Sequence, residues 1–157
     1  MKKEILKGVT MLALLVALAL ATAVVSANAQ SSNEVVSSIP FEFVVGDKTL
    51  PAGAYSVRPA NAQGNALMIQ SKDGKSSTIR LSDPTVQRNN KRYARLIFHR
   101  YGQNYFLAEV WSGESTGRQL LKSKHERAIE RELASIPSKS DLAQSTYETI
   151  EVVAVLR

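Results

Sequence analysis

The sequence predicts a mainly β protein, a small antiparallel sandwich or partly closed barrel of about seven strands with one packed helix. Apolar side chains recur at every second residue in several short segments. Glycine, proline and Asp-Gly turn signals separate those segments at short intervals. A single stretch carries helical spacing behind a capping signal.

The chain opens on a different kind of segment. Lys2, Lys3 and Lys7 precede Met11 to Val25, an apolar run interrupted only by Thr22. Small residues follow, ending in Ala27-Asn28-Ala29. A basic start, an apolar middle and an A-x-A end read as a signal peptide over residues 1–29, cut after Ala29, with a cut after Ala27 as the alternative. No arginine pair stands in the basic region, which points to general secretory export. An uncleaved anchor is the competing reading, because Val9 to Val25 lies at the lower edge of a bilayer span. The small residues at the cut disfavour it. The mature chain is therefore expected to be periplasmic or extracellular, with no stable membrane span.

Cleavage leaves 128 residues, enough for one domain with its own core. The signal takes three Lys and one Glu with it, leaving 17 basic and 13 acidic residues, a net charge of +4. That balance suits an anionic envelope polymer or another envelope protein as partner, and is too weak to call for nucleic acid. The chain has no cysteine, so thiolate metal sites, thiol redox chemistry and disulfides are all excluded.

Val35 to Val45 alternates, with Ile39, Phe41, Phe43 and Val45 on one face; Pro40 within it predicts an edge strand or a bulge. Gly46-Asp47-Lys48 and Leu50-Pro51-Ala52-Gly53 are turns. Ala54 to Arg58 is a short strand with Tyr55 and Val57 aligned, and Ala66 to Ser71 is another with Leu67 and Ile69 aligned. Lys72-Asp73-Gly74-Lys75 is a hairpin turn. A two-residue Asp-Gly loop would set Ile69 opposite Thr78. A longer bulged turn would set Ile69 opposite Ile79 and Leu67 opposite Leu81. The bulged register is preferred, since it gathers the apolar groups on one face.

Ser82 to Asn90 reads as a loop around Asp83-Pro84. Arg92 to Tyr101 and Asn104 to Ser112 form the clearest hairpin, through Gly102-Gln103. If Tyr101 faces Tyr105, Leu96 faces Val110 and Phe98 faces Ala108, with Phe106 on that side. The other side carries Arg95, Ile97, His99, Leu107 and Trp111, so this hairpin is expected to be central and covered on both faces. The cover is expected to be a helix that begins with the capping box Ser123-Lys124-His125-Glu126 and packs through Ala128, Ile129 and Leu133. Pro137 ends it. The β domain with its terminal helix then spans 30–134, a flexible linker spans 135–145, and residues 146–157 form a last strand that completes the domain. That strand aligns Ile150, Val152, Ala154 and Leu156, and is expected beside the first.

The blocks IPFEFVVGDKTLPAGAYSV (Ile39–Val57), LIFHRYGQNYFLAEVW (Leu96–Trp111) and GRQLLKSKHERAIERE (Gly117–Glu132), in that order, resemble a family of small secreted acidobacterial proteins. The resemblance implies export and a shared compact β domain. It carries over no catalytic residue, because the family has no established activity.

Catalytic signals are sparse. His99 and His125 are the only histidines, in no H-E-x-x-H spacing. No G-x-S-x-G elbow or phosphate-binding glycine loop occurs. Glu42, Glu109 and Glu114 supply only the carboxylates any small protein offers. The most suggestive cluster is basic and aromatic: Arg95, Arg100, Tyr101, Tyr105 and Trp111, with Arg88, Lys91, Arg92 and Tyr93 nearby. Aromatic rings beside guanidinium groups can stack on sugars and hold anions. The same residues can simply cover apolar surface as cross-strand pairs. The expected function is a non-enzymatic exported binding module without cofactor or metal. The alternatives are an assembly protein pairing through strand edges and an envelope-polymer hydrolase using His99, Glu109 or His125.

Overall fold

The computed structural model describes residues 33–86, 91–135 and 147–157. The predicted signal peptide and nearly all of the predicted linker lie outside them. The described chain is mainly β, with eleven strands and one helix. The ladder path runs β10-β7-β8-β9-β6-β5-β4-β1-β11, with β2 and β3 attached beside β8. Here β1 is Val35–Ile39, β2 Phe43–Val45, β3 Lys48–Leu50, β4 Gly53–Pro59 and β5 Ala66–Ser71. β6 is Ser77–Val86, β7 Ala94–Tyr101, β8 Asn104–Ser112, β9 Thr116–Leu120, β10 Glu148–Val153 and β11 Val155–Leu156. All pairings are antiparallel except that of Val44 in β2 with Phe106 in β8.

Three segments pass from one layer of this sandwich to the other; two of these crossings divide an expected strand, and with β3 and β9 they raise the number from about seven to eleven. Ser77–Leu81 of β6 pairs β5, whereas Ser82–Val86 pairs β9. The first alternating stretch breaks at Pro40 into β1, beside β4, and β2, beside β8. The last stretch breaks at Ala154 into β10, on β7, and β11, on β1. Hydrogen bonds do not close the path, but its two ends are one residue apart in the chain. The Ala154 N–H donates to Ala94 O at 2.9 Å, and Ser37 Oγ to Val153 O at 2.8 Å. The last strand does lie beside the first, as expected. Pro40 marks a change of layer, not an edge, since β1 has β4 on one side and β11 on the other.

The core lies between the layers. Phe98 stands edge-on to Phe41 and Phe43, with ring centroids at 5.2 and 5.5 Å, and Phe43 is edge-on to Tyr55 at 5.0 Å. These are favoured aromatic geometries. The Tyr55 hydroxyl donates to Pro51 O at 2.8 Å, so its polar tip is satisfied. Val35, Val57, Leu67, Ile69, Leu96 and Val110 are buried around the rings, and each follows the predicted period of two.

Several registers differ from expectation. In β5–β6, Ile69 faces Thr78 and Met68 faces Ile79, the register of the two-residue loop. Turn chemistry outweighs apolar matching here. Asp73 Oδ1 accepts from Ser71 Oγ at 2.6 Å and from Lys75 N at 3.1 Å, and Gly74 takes φ +72°. Ile79 and Leu81 are left 57% exposed as a result. In β7–β8, Leu96 faces Val110 as expected, but Phe98 faces Leu107, because Ala108 is bulged out. The bulge turns Leu107 into the core and puts Phe106 opposite His99 on the other face.

Asp83-Pro84 is not a loop. Leu121 N–H donates to Leu81 O, which places Asp83 and Thr85 at the hydrogen-bonded pairs and Pro84 at a non-bonded one. The proline therefore breaks no bond of the ladder. β3 and β9 are strands that sequence pattern alone did not reveal.

Helix α1 (Lys124–Ala134) starts where the capping signal places it, with Glu126 N–H donating to Ser123 Oγ at 3.0 Å. Its packing differs from the prediction. Glu126 is its only buried residue; Ala128 and Leu133 are exposed and Ile129 is half-buried. The helix docks through its first turn, because the Glu126 carboxylate does not return to its own cap and instead meets His99 and Tyr101 of β7.

Candidate functional site

β7 has two faces, and alternation sorts the basic and aromatic residues between them. Arg95, His99 and Tyr101 lie on the outer face, as does Trp111, the cross-strand partner of Arg95. Arg100 and its partner Tyr105 lie on the other face. There the Arg100 guanidinium sits 5.4 Å from the Tyr105 ring, which stacks on Phe41 at 4.0 Å. Arg100 also pairs Glu148 at 3.2 Å. The five predicted ligand residues therefore do not form one surface.

The outer face holds a groove of about 370 Å³, lined by Thr85, Lys91, Arg95, His99, Glu109 and Trp111 among others. Its groups are already engaged with one another. Trp111 is 4% exposed, with the Arg95 guanidinium 4.8 Å above its ring and its Nε1–H donating to Glu109 at 2.8 Å. Glu151 accepts from Lys91 at 2.6 Å and from the Tyr93 hydroxyl, with Arg95 Nε at 3.9 Å. Burial, the largest single influence on the Glu151 carboxyl, raises its pKa. The hydrogen bonds from Lys91 and Tyr93, with the charges of Lys91 and Arg95, together outweigh burial and hold it below its ordinary value.

A depressed carboxyl contributes stability that is present above its unfolded pKa, about 4.5, and lost as pH falls through the lower folded value. Glu151→Gln is therefore expected to lose less stability than the parent between about pH 5 and pH 3. Urea midpoints measured across that range check this; parallel acid limbs would contradict it.

Towards the turn end of the same face, His99 Nδ1 lies 3.2 Å from Glu126 Oε1, and the Tyr101 hydroxyl donates to the same oxygen at 3.4 Å. Burial, and then the charge of Glu126, push the Tyr101 phenol well above its usual range and keep it a donor. Tyr147 stacks on His99 at 3.8 Å and covers the cluster. His125 packs on Phe106, the cross-strand partner of His99, and Tyr101 stands edge-on to the same ring at 5.7 Å. The concavity that a hydrolytic site would need beside His99 and Glu109 is thus present. Among the described residues, however, His99 shares its hydrogen bond with Glu126 and with no hydroxyl nucleophile. No group of three or more His, Asp or Glu among them is arranged to hold a metal.

A second concavity opens at one end of the sandwich, where sequence reasoning placed nothing. Its volume is about 650 Å³. Val35 of β1, Val57 of β4, Leu67 of β5 and Val110 of β8 form an apolar floor from both layers. Asn33, Gln63, Asn65, Glu114 and Arg118 contribute to a polar rim. Arg118 is the cross-strand neighbour of Val110 on one side and of Pro84 on the other, so its side chain rises from the inner face. It reaches the β4–β5 loop and donates to Gln63 O at 3.2 Å. The loop makes room through Gly64 at φ +65°, where a Cβ would stand 2.4 Å from the guanidinium. The only sequence hint of this cavity was the inward alternation of Val57 and Leu67. Its existence depends on two layers diverging at one end, which periodicity does not encode.

Fold and cavity together define a small two-layer β protein open at one end. The chain matches no family model, no curated protein and no solved structure. Among the described residues, no helix is long and apolar enough to cross a membrane.

Proposed function

We propose that this chain is a non-enzymatic binding module, exported by its N-terminal signal to the periplasm or the extracellular space, and that it binds through the open end of the sandwich. The observation that carries this reading is the cavity of about 650 Å³ with an apolar floor and a polar rim. The concavity is open to solvent, with the buried residues Val35, Val57, Leu67 and Val110 at its bottom. It falls within the common size range of small-molecule sites. The outer groove supports the reading less well, because its charges and its indole already satisfy one another. The mature charge of +4 favours an anionic partner, an envelope polymer presenting an end group or another envelope protein.

The test is thermal unfolding of the purified protein with lipopolysaccharide, peptidoglycan fragments and anionic phospholipid. A ligand at about a hundred times its Kd stabilises the folded state by about 2.7 kcal/mol. Val110→Phe, which fills the floor, is expected to abolish that gain, whereas Lys91→Ala at the outer groove is expected to keep it. Loss of stabilisation in Lys91→Ala with retention in Val110→Phe would move the site to the groove.

A further inference from the structure

We infer that the end cavity takes a single-chain amphiphile with one negative charge, its anionic head on Arg118 and its apolar chain along Val35, Val57, Leu67 and Val110. This rests on reading the open end as the ligand site. Arg118 carries the inference. A guanidinium has five N–H donors, and Arg118 donates one of them to a neutral carbonyl, Gln63 O. It makes no ion pair among the described residues, whereas Lys91, Arg100 and Lys122 each have a carboxylate within 3.2 Å. Arg118 is also half-buried and lines the cavity above its apolar floor, with its hydrogen bond to Gln63 at the exposed rim. A partly desolvated cation without a counter-charge gains most from an anion that brings its own apolar body.

The rim also limits the charge of that anion. Glu114, its one carboxylate, is exposed and makes no ion pair among the described residues. It would repel a second negative charge at the mouth. Arg58 does not supply one more cation to the interior, because its guanidinium lies outside on Met68, donating to Sδ at 3.3 Å. One inward cation on an apolar floor fits a medium-chain carboxylate or a phosphodiester, each with a single negative charge. It does not suit a neutral or cationic chain.

The experiment is isothermal titration of the purified protein with dodecanoate, methyl dodecyl phosphate, dodecanol and dodecyltrimethylammonium, each below its micelle concentration. Dodecanoate is expected to bind at least about tenfold more tightly than dodecanol, the value of one charge-assisted contact, with the ammonium compound weaker again. Arg118→Gln is expected to bring dodecanoate to the dodecanol level and to leave dodecanol within about twofold. Arg118→Lys, which keeps the charge and guards against a folding defect, is expected to retain the preference. The ratio of the two anions separates a carboxylate source from a phosphate ester. Equal binding of dodecanoate and dodecanol, or unchanged dodecanoate binding in Arg118→Gln, would overturn the anionic preference while leaving the cavity as a site. No binding by any of the four would overturn the cavity reading as well.

Discussion

Phe98→Ala is expected to lower the free energy of unfolding by about 3–5 kcal/mol, a large part of the 5–15 kcal/mol typical of a domain. Phe98 has no exposed surface. It sits on β7 between Leu107 of β8 and Ile150 of β10, and meets Phe41 and Phe43 edge-on. Its ring therefore joins the segment that crosses at Pro40 to the central hairpin and to the C-terminal strand. Removing it loses burial and leaves a cavity where neighbours on three separate elements cannot all collapse inward. Phe98→Leu keeps most of the volume and is expected to cost about 1–2 kcal/mol. Urea unfolding measures both. A cost below about 1 kcal/mol for Phe98→Ala would show that the aromatic cluster does not hold the two layers together.

The second large effect concerns a residue with no side chain. Gly117 of β9 is the cross-strand partner of Trp111. A Cβ added there would stand 2.5 Å from Trp111 Cε3 and 2.6 Å from Cδ2. The ring has little freedom to move, since Arg95 lies over it and Glu109 holds its Nε1–H. Gly117→Ala is expected to cost about 3 kcal/mol as overpacking. Trp111 is the only tryptophan in the chain, so its emission reports the displacement without interference. A shift to longer wavelength should accompany the loss of stability. In a Trp111→Leu background the same glycine substitution is expected to cost under about 1 kcal/mol, a coupling that a double-mutant cycle measures. Additive costs would mean that the glycine serves the backbone and not the indole.

The helix shows how far local pattern reached. Its start is legible because Ser123 caps it through a contact three residues away. Its docking is not, since Glu126 turns from its own cap to His99, 27 residues earlier in the chain. Ala128, Ile129 and Leu133 have helical spacing, yet Ala128 and Leu133 are exposed, and the one buried helix residue is Glu126 in the first turn. The β strands divide in the same way. Period two identified which of Tyr55, Val57, Leu67, Ile69 and Leu96 face inward, because burial follows the pleat. It could not separate the two halves of a strand that changes layer, as at Ser82 or Ala154, because alternation continues through the crossing. The β5–β6 register went to the local chemistry of Asp73 and Gly74. The Ala108 bulge exchanged the faces of Phe106 and Leu107. Of the predicted ligand cluster, Arg95 and Trp111 do pair, as covering surface. Arg118 carried no signal in the sequence, since only the layer opposite gives it a cavity to enter.

The most direct test of the end cavity is a methyl NMR titration of the purified protein with dodecanoate. The expected result is a set of shift changes concentrated on the methyls of Val35, Val57, Leu67 and Val110, saturating with one ligand per chain. Changes confined to Ile97 and Val86 at the outer groove, with the four floor residues unmoved, would contradict it.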